Sequence, residues 1–268
     1  MPLSYSQLQC YRRCPKQYEF AFVKKVSRQI SQGESFGSSM HNTLKKWGEL
    51  ELLMQAKKPA SGQIALFTDD HTHAMPQKLD QTMLKTLWRQ CFIAQGYETR
   101  AAMDMALLRG ERALEHFFGW WSAKSRDVVA CEKGFSIDVP GNDGSVALAM
   151  SGRFDRVERT EQGLLIIDFK SGEPRPQAEI DVDLQLSMYA AAAQKLWNEP
   201  VYELILLFIG EEGIVEGKTT RNASQIKDAM TAIRNLAQQI ESKDFRATPT
   251  VGKCRSCPYR EMCPARAV

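Results

Sequence analysis

Three charged residues, Asp155, Asp168 and Lys170, lie in two neighbouring segments whose patterns predict adjacent β-strands. The segment that begins at Leu164 is apolar until it ends in Asp-Phe-Lys, as is typical of a buried strand. Side chains alternate between the two faces of a strand, so Asp168 and Lys170 share one face. Because an unpaired buried charge is costly, charged groups in such a strand indicate a function. Together with Asp155, they predict a metal site with a cationic helper.

Two further polar residues are predicted to share one face of the next helix, from about Val182 to Trp197. Gln185 and Tyr189 are four residues apart, and side chains at this spacing are neighbours on a helix. By themselves they are equally consistent with the margin of a core. His41 lies beside an apolar stripe on an earlier helix, from about Glu34 to Lys57, and a histidine in such a place is usually structural.

Three of the seven cysteines, Cys254, Cys257 and Cys263, form a Cys-x2-Cys-x5-Cys pattern near the C-terminus, which is a strong metal-binding signal. Three thiolates leave a tetrahedral set one ligand short, and Cys14 is the first candidate for the fourth, with Cys10 the second. An odd number of cysteines argues against a disulfide framework. Four thiolates can hold zinc or an iron–sulfur cluster, and spacing alone does not distinguish the two.

These motifs resemble those of the PD-(D/E)XK nuclease superfamily and, within it, the RecB-like exonucleases. The matching motifs are Gly37-x-x-x-His41, Gly152-x-x-Asp155, Asp168-x-Lys170 and Gln185-x-x-x-Tyr189. The resemblance implies that Mg²⁺ or Mn²⁺ is held by His41, Asp155, Asp168 and the carbonyl of Phe169. It implies that Lys170 positions the attacking water or stabilises charge on the phosphate, with Gln185 and Tyr189 orienting Lys170 or the DNA strand. Asp168 stands where glutamate is commoner, and the superfamily accepts either.

The cysteines resemble those of a subset of RecB-like nucleases, which includes AddAB-type nuclease domains and CRISPR-associated RecB-like exonucleases. These carry one cysteine before the nuclease core and three after it. The resemblance implies a [4Fe-4S] cluster, with zinc as the alternative, on Cys14, Cys254, Cys257 and Cys263. Such a cluster would join the first helix to the tail and close a very long loop. It would also bring the basic stretch 12–28 towards the basic tail, where both could contact phosphates.

The elements that must place these residues alternate in an α/β pattern. From Val128 the periodicity changes to that of strands, and three strands, a helix and a further strand follow. This is the order expected of a restriction-endonuclease-like fold, a mixed sheet flanked by helices. The prediction is one domain over residues 1–268, with a helical region at about 34–125, a catalytic core at about 126–243 and a cluster-binding tail at 244–268 that also uses Cys14.

Other polar and aromatic residues carry weaker signals. Glu132, in the first predicted strand, could lie close to the metal site but is not predicted to be a ligand. His71 and His73 lie in a polar loop and could chelate a metal, although loop histidines without a cysteine or carboxylate cluster are more often incidental. The pair Trp120 and Trp121 ends an aromatic segment that predicts core packing, with a base-stacking platform as the alternative.

Composition places few limits on function. A hydrophobic fraction of 43% and a charged fraction of 25% are ordinary for a globular protein. The net charge of +3 is too small to indicate nucleic-acid binding by itself. No apolar run is long enough to span a bilayer, and the N-terminal residues lack the pattern of a signal peptide, so the expectation is a cytoplasmic protein without a membrane partner.

The resemblance therefore predicts a metal-dependent exonuclease that acts on single-stranded DNA or DNA ends, in repair, recombination or CRISPR-related processing. Because no helicase motif is present, unwinding would need a helicase or a CRISPR-associated partner. The alternative is a catalytically inactive module that binds nucleic acid or docks a partner, although such relatives usually lose the Asp or Lys positions retained here. Electron transfer through the cluster has little support, because nothing resembles a flavin or nicotinamide site.

Overall fold

The computed structural model describes residues 2–56, 78–139 and 148–267. Its strands are β1 (Leu3–Ser4), β2 (Asp127–Val139), β3 (Leu148–Thr160), β4 (Gly163–Lys170), β5 (Val201–Gly210) and β6 (Gly213–Thr219). Its α-helices are α1 (Tyr5–Arg13), α2 (Pro15–Tyr18), α3 (Gln32–Ala56), α4 (Gln81–Cys91), α5 (Arg100–Ser122), α6 (Gln177–Asp181), α7 (Leu184–Trp197), α8 (Ala223–Glu241) and α9 (Val251–Arg255), and a π-helical turn spans Glu19–Val23. The predicted loop histidines His71 and His73 lie outside the described residues.

The described strands form one mixed sheet. Strands β2 and β3, β3 and β4, and β5 and β6 pair antiparallel, whereas β4 and β5 pair parallel. Parallel neighbours need a crossover connection, which α6 and α7 supply between β4 and β5. Every residue of β4 before Lys170 is buried, because helices cover both faces of the sheet.

Two apolar clusters hold the helices against the sheet. On one face, Leu8 of α1, Leu186 of α7 and Ile233 of α8 pack with alternate residues of the strands. On the other face, Trp47 of α3 and Trp88 of α4 belong to the core beneath α3, α4 and α5. The predicted mixed sheet flanked by helices is therefore confirmed, and the arrangement is that of a restriction-endonuclease-like fold. Across the described chain, no helix combines the length and apolar character needed to cross a membrane.

Strand β3 has a gap along one edge. Strand β2 pairs with nearly the whole of β3, so β1 and β4 must share its other edge. Strand β1 pairs with Met150 and Ser151, and β4 pairs with β3 from Arg156 onwards. Among the described strands, none pairs with residues 152–155 on that edge. The gap opens the sheet beside Asp155 and the end of β4.

A buried network of charges fixes α3 on the sheet. Arg156 is only 1% exposed, and it donates to both carboxylate oxygens of Glu51 on α3, at 2.7 and 2.9 Å. Arg156 Nε also donates to Glu158 at 2.6 Å, and Arg126 Nη1 donates to the same carboxylate at 3.0 and 3.1 Å. Gly48 lies so close to the Cys131 side chain that an added Cβ would collide with it. These contacts set the position of the helix that carries His41.

Candidate active site

Three carboxylates occupy one row across three adjacent strands. The β2–β3 register pairs Cys131 with Arg156 and Lys133 with Phe154, which places Glu132 opposite Asp155. The β3–β4 pairing begins at Arg156 and Ile167, and just beyond it Asp155 accepts a hydrogen bond from the Phe169 N–H, so Asp155 lies beside Asp168. The row therefore runs Glu132, Asp155, Asp168, beside the gap in the sheet.

Asp155 is held by the end of β4 and by α3. Its Oδ2 accepts a hydrogen bond from the Phe169 backbone N–H at 2.8 Å, and His41 Nδ1 lies 3.5 Å from the same oxygen. Burial and the adjacent Asp168 carboxylate raise the pKa of Asp155 well above its ordinary value. A cation bound between these carboxylates would relieve their repulsion.

Asp168 is 2% exposed and is surrounded by polar partners. Its Oδ1 accepts from Gln185 Nε2 at 3.2 Å and lies 3.1 Å from the Tyr189 hydroxyl. Its Oδ2 forms an ion pair with Lys170 Nζ at 2.5 Å, which uses only part of the acceptor capacity of a carboxylate oxygen. That oxygen keeps lone pairs for a metal ion.

The Lys170 ammonium lies between Asp168 and the helix α7. Its Nζ donates to Gln185 Oε1 at 3.5 Å in addition to the ion pair with Asp168. Burial disfavours the charge, but the Asp168 and Asp155 carboxylates outweigh it, and the pKa of Lys170 is raised. The side chain is therefore cationic at neutral pH.

Helix α7 directs its first turn at the site because of how it begins. Asp183 caps the helix, and its carboxylate accepts from the Gln185 and Leu186 N–H groups at 2.8 and 3.1 Å. Arg175 pairs with the other Asp183 oxygen at 2.9 Å. Gln185 Nε2 then donates to the Tyr189 hydroxyl at 2.8 Å, and this hydroxyl lies 2.8 Å from the Arg153 carbonyl. The two residues act as one polar unit, as their spacing predicts.

His41 approaches from the opposite side of the sheet on α3. Burial lowers the pKa of its imidazole, so the ring is neutral at neutral pH and keeps a nitrogen lone pair. A neutral imidazole beside carboxylates suits a metal ion such as Mn²⁺. The donor set present at the site is thus of the type that holds a divalent cation.

The predicted residues of the metal site and its surroundings are linked by a continuous set of contacts: His41, Asp155, Asp168, Phe169, Lys170, Gln185 and Tyr189. Among the described residues, however, His41, Asp155 and Asp168 do not all bring a ligand atom within 4.8 Å of one another. The structure also adds Glu132, because one ligand atom each from His41, Glu132 and Asp155 lie within 4.8 Å of one another. Sequence patterns place Glu132 near the site without assigning it a role. Only the strand register shows that it faces Asp155.

The sequence as a whole matches a family model described as the PD-(D/E)XK nuclease superfamily over residues 2–264. The chain belongs to this superfamily. It is 21% identical over 289 residues to the Gene 69 protein of Mycobacterium phage L5, covering 98% of this chain and 97% of the phage protein. It is also similar to a solved structure described as the crystal structure of SSO0001, at 13% identity and a TM-score of 0.45, covering 99% of this chain and 87% of that one. Membership implies a nuclease, which hydrolyses phosphodiester bonds.

A second group of potential ligands lies at the ends of this PD-(D/E)XK chain. One cavity is lined by all four cysteines of the predicted set, Cys14, Cys254, Cys257 and Cys263. Burial opposes ionisation of Cys14, but N–H groups of Thr248, Gln17 and Lys16 outweigh it and lower its pKa. Cys10 does not line this cavity. Burial raises the pKa of Cys10 to about 11 and also raises the pKa of Cys257, so it is the position at the cavity that distinguishes Cys14 from Cys10.

The two ends of the nuclease chain are joined around this cavity. Arg13 donates to the Ser256 hydroxyl and to the Lys253 carbonyl, and the Thr248 hydroxyl donates to the Arg13 carbonyl at 3.3 Å. The Tyr11 hydroxyl donates to the Asp244 carbonyl at 2.7 Å. Residues more than 230 positions apart in sequence are thus held in contact.

Proposed function

We propose that this chain is a divalent-metal-dependent DNA exonuclease of the RecB-like type. The observation that carries the proposal is the convergence of His41, Asp155, Asp168 and Lys170 at the gap beside β3. The first three, with the Phe169 carbonyl, supply nitrogen and oxygen ligands of the kind that Mg²⁺ and Mn²⁺ accept. Retention of both aspartates and the lysine supports catalysis over an inactive binding module.

A divalent cation at this site would polarise the scissile phosphate and lower the pKa of a water molecule. Lys170 supplies a fixed positive charge for the phosphate oxygens, where charge grows as the phosphodiester bond breaks. Gln185 holds Lys170 and Asp168 in place from α7. Tyr189 holds Gln185 in turn and contacts the Arg153 carbonyl on β3.

The surface next to the site supports a single-stranded substrate or a DNA end. A wide groove between the N-terminal helices and the tail is lined by basic and aromatic side chains, including Arg13, Phe22, Arg28, Tyr97 and Arg255. Basic grooves with aromatic side chains bind single strands through phosphate contacts and base stacking. Ser6 lines both this groove and the pocket that contains Lys170 and Gln185, so a strand in the groove leads to the site. A helicase or a CRISPR-associated partner would supply such strands, during repair, recombination or CRISPR-related processing.

The four-cysteine cavity is proposed to hold a [4Fe-4S] cluster. The four cysteines line one cavity, and their resemblance to the cysteines of iron–sulfur RecB-like nucleases supports a multi-iron cluster over a single zinc ion. The described cysteines are all free thiols, which supports a cytoplasmic location.

Metal analysis of anaerobically purified protein tests the cluster. We expect iron and a brown absorbance in the wild type and in Cys10→Ser, and loss of both in Cys14→Ser and Cys254→Ser. The latter variants should also lose stability and DNA affinity, because the joined ends form one side of the groove. Zinc without iron would contradict the cluster, and loss of iron in Cys10→Ser but not in Cys14→Ser would make Cys10 the fourth ligand.

Degradation of labelled DNA tests the nuclease. Single-stranded and duplex DNA, labelled at the 5′ or 3′ end, are incubated with Mn²⁺ and either wild-type protein or Asp168→Asn. Asp228→Asn, on an exposed face of α8, is the matched control. We expect the wild type and the control to degrade single strands or ends from one terminus, and Asp168→Asn to be inactive. Cluster-containing wild-type protein that binds DNA without cleaving it would favour the inactive binding module.

A further inference from the structure

Glu132 occupies an unusual backbone position in the middle of β2. Its φ is +50°, in the left-handed region that side chains other than glycine, asparagine and aspartate seldom adopt. The alternation of buried residues changes here. Ala130 and Phe135 face the same core although they are an odd number of positions apart, and Ile137 then follows the alternation set by Phe135. The left-handed residue therefore interrupts the regular strand at the position opposite Asp155.

This position sends the Glu132 carboxylate into the candidate active site. One oxygen lies within 4.8 Å of a ligand atom of His41 and of one of Asp155, and the side chain is 16% exposed. Its neighbour in the row across the sheet, Asp155, is itself a carboxylate. Lys170 contacts Asp168, at the other end of the row. At the Glu132 end, the cation in contact is Arg153 Nη1 at 3.2 Å, on a side chain that is 58% exposed.

We propose that Glu132 is a third carboxylate ligand, which completes a divalent cation position with His41 and Asp155. The inference rests on the proposed metal-dependent function and adds a residue to it. Asp155 lies in the middle of the row. It can therefore bind the proposed cation together with Glu132, and a neighbouring cation together with Asp168. Oxygen ligands from two carboxylates with one imidazole form a donor set that Mn²⁺ accepts.

A purely structural role for Glu132 makes different predictions. The ion pair with Arg153 is largely exposed on the arginine side, and such pairs contribute little to stability. Glycine would adopt the left-handed backbone without the steric cost that glutamate incurs there. Stability alone therefore does not favour glutamate at this position. If Glu132 is a metal ligand, replacing it by glycine lowers metal affinity and leaves the metal-free protein as stable as before, or more stable.

Mn²⁺ binding measured by equilibrium dialysis and electron paramagnetic resonance tests the proposal without any activity assay. The variants are Glu132→Gln, Glu132→Gly and Arg153→Gln, with Glu161→Gln in an exposed turn as the control. We expect both Glu132 variants to lose one bound Mn²⁺ or to bind it at least tenfold more weakly, because a ligand is removed. Arg153→Gln and the control should bind as the wild type does. In EDTA, the unfolding temperature of Glu132→Gly should equal or exceed that of the wild type.

Unchanged number and affinity of bound Mn²⁺ in Glu132→Gln would overturn the proposal. An equal loss in Arg153→Gln would overturn it too, because Glu132 would then act only through its arginine partner. Asp155→Asn separates this failure from that of the proposed function. If wild-type protein binds Mn²⁺ and Asp155→Asn does not, the metal site stands whatever Glu132 does, whereas a wild type that binds no Mn²⁺ removes the basis of both.

Discussion

Two adjacent residues of β3, Asp155 and Arg156, belong to charged clusters of opposite character. Arg156 lies in a buried network with Glu51, Glu158 and Arg126, in which two positive charges meet two negative charges through close hydrogen bonds. Asp155 lies among carboxylates, and the partly buried cation nearest to them, Lys170, contacts Asp168. One cluster is neutralised by the protein, and the other carries an excess of negative charge.

The difference shows how this strand separates stability from function. Buried charges are tolerated when partners and hydrogen bonds satisfy them, and the Arg156 network meets that condition without any ligand. The Asp155 row does not, which is why the pKa of Asp155 is raised. An excess of negative charge on a rigid sheet costs stability in the absence of a cation, and it attracts one. Variants of Asp155 and of Arg156 should therefore have opposite effects on the stability of the metal-free protein.

The largest effect on stability is expected for Arg156→Ala. It leaves Glu51 buried without its guanidinium partner, and breaking such a pair costs about 3–5 kcal/mol. Chemical denaturation of the metal-free protein measures the loss. The control is Arg159→Ala on the same strand, whose solvent-exposed pair with Glu199 should contribute far less to stability. Equal losses in the two variants would mean that the buried network has no special role in holding α3.

Asp155→Asn should abolish activity and spare stability. Loss of a metal ligand should lower the rate at least ~10³-fold, because several kcal/mol of transition-state stabilisation are removed. The raised pKa means that the folded state binds more protons than the unfolded state, so the metal-free wild type loses stability as pH rises through that pKa. The asparagine side chain carries no charge, so denaturation of the metal-free variant should show that pH dependence reduced and equal or greater stability at neutral pH. A clear loss of stability in Asp155→Asn would contradict this prediction and would mean that Asp155, like Arg156, stabilises the fold.

A bound cation should stabilise the wild type by an amount that rises with the logarithm of the cation concentration above the dissociation constant. At Mn²⁺ concentrations about 100-fold above the dissociation constant, the free energy of unfolding should rise by about 2.7 kcal/mol. Thermal unfolding with and without EDTA measures this increment. Asp168→Asn should lose most of it, whereas Arg159→Ala should retain it. An increment that persists in Asp168→Asn and Asp155→Asn would locate the Mn²⁺ site elsewhere.

A residue of the site could be predicted from the sequence where the pattern that indicates it spans only a few neighbouring positions. Asp168 and Lys170 share a strand, and Gln185 and Tyr189 share a helix face, so local periodicity places each pair correctly. His41 can be predicted as a metal ligand only from the family resemblance, because a histidine beside an apolar stripe is usually structural. The sequence does not predict Glu132 as a ligand, since its place depends on strand register and a left-handed backbone that the pattern of residues does not reveal.

Long-range partners are beyond prediction for a similar reason. Glu51 and Arg156 are 105 residues apart in sequence, and no spacing rule links a helix residue to a strand residue at that distance. Strand β1 has two residues, too few for any periodicity, and only its pairing with β3 identifies it. Predicted elements thus account for the order of the fold, whereas the packing of α3 and the gap beside β3 emerge only in three dimensions.

Tyr189→Phe tests the polar unit of Gln185 and Tyr189, which contributes both to stability and to the site. The smallest effect on activity is expected for this variant. The hydroxyl accepts from Gln185 and reaches the Arg153 carbonyl and Asp168, so its loss should cost about 1 kcal/mol of stability. Activity should fall about tenfold, because Gln185 no longer holds Asp168 and Lys170 in one arrangement. Mn²⁺ affinity should change less than activity, since no ligand is removed. Tyr202→Phe on the exposed side of β5 is the control, and activity equal to that of the control would show that Tyr189 serves only to pack the core.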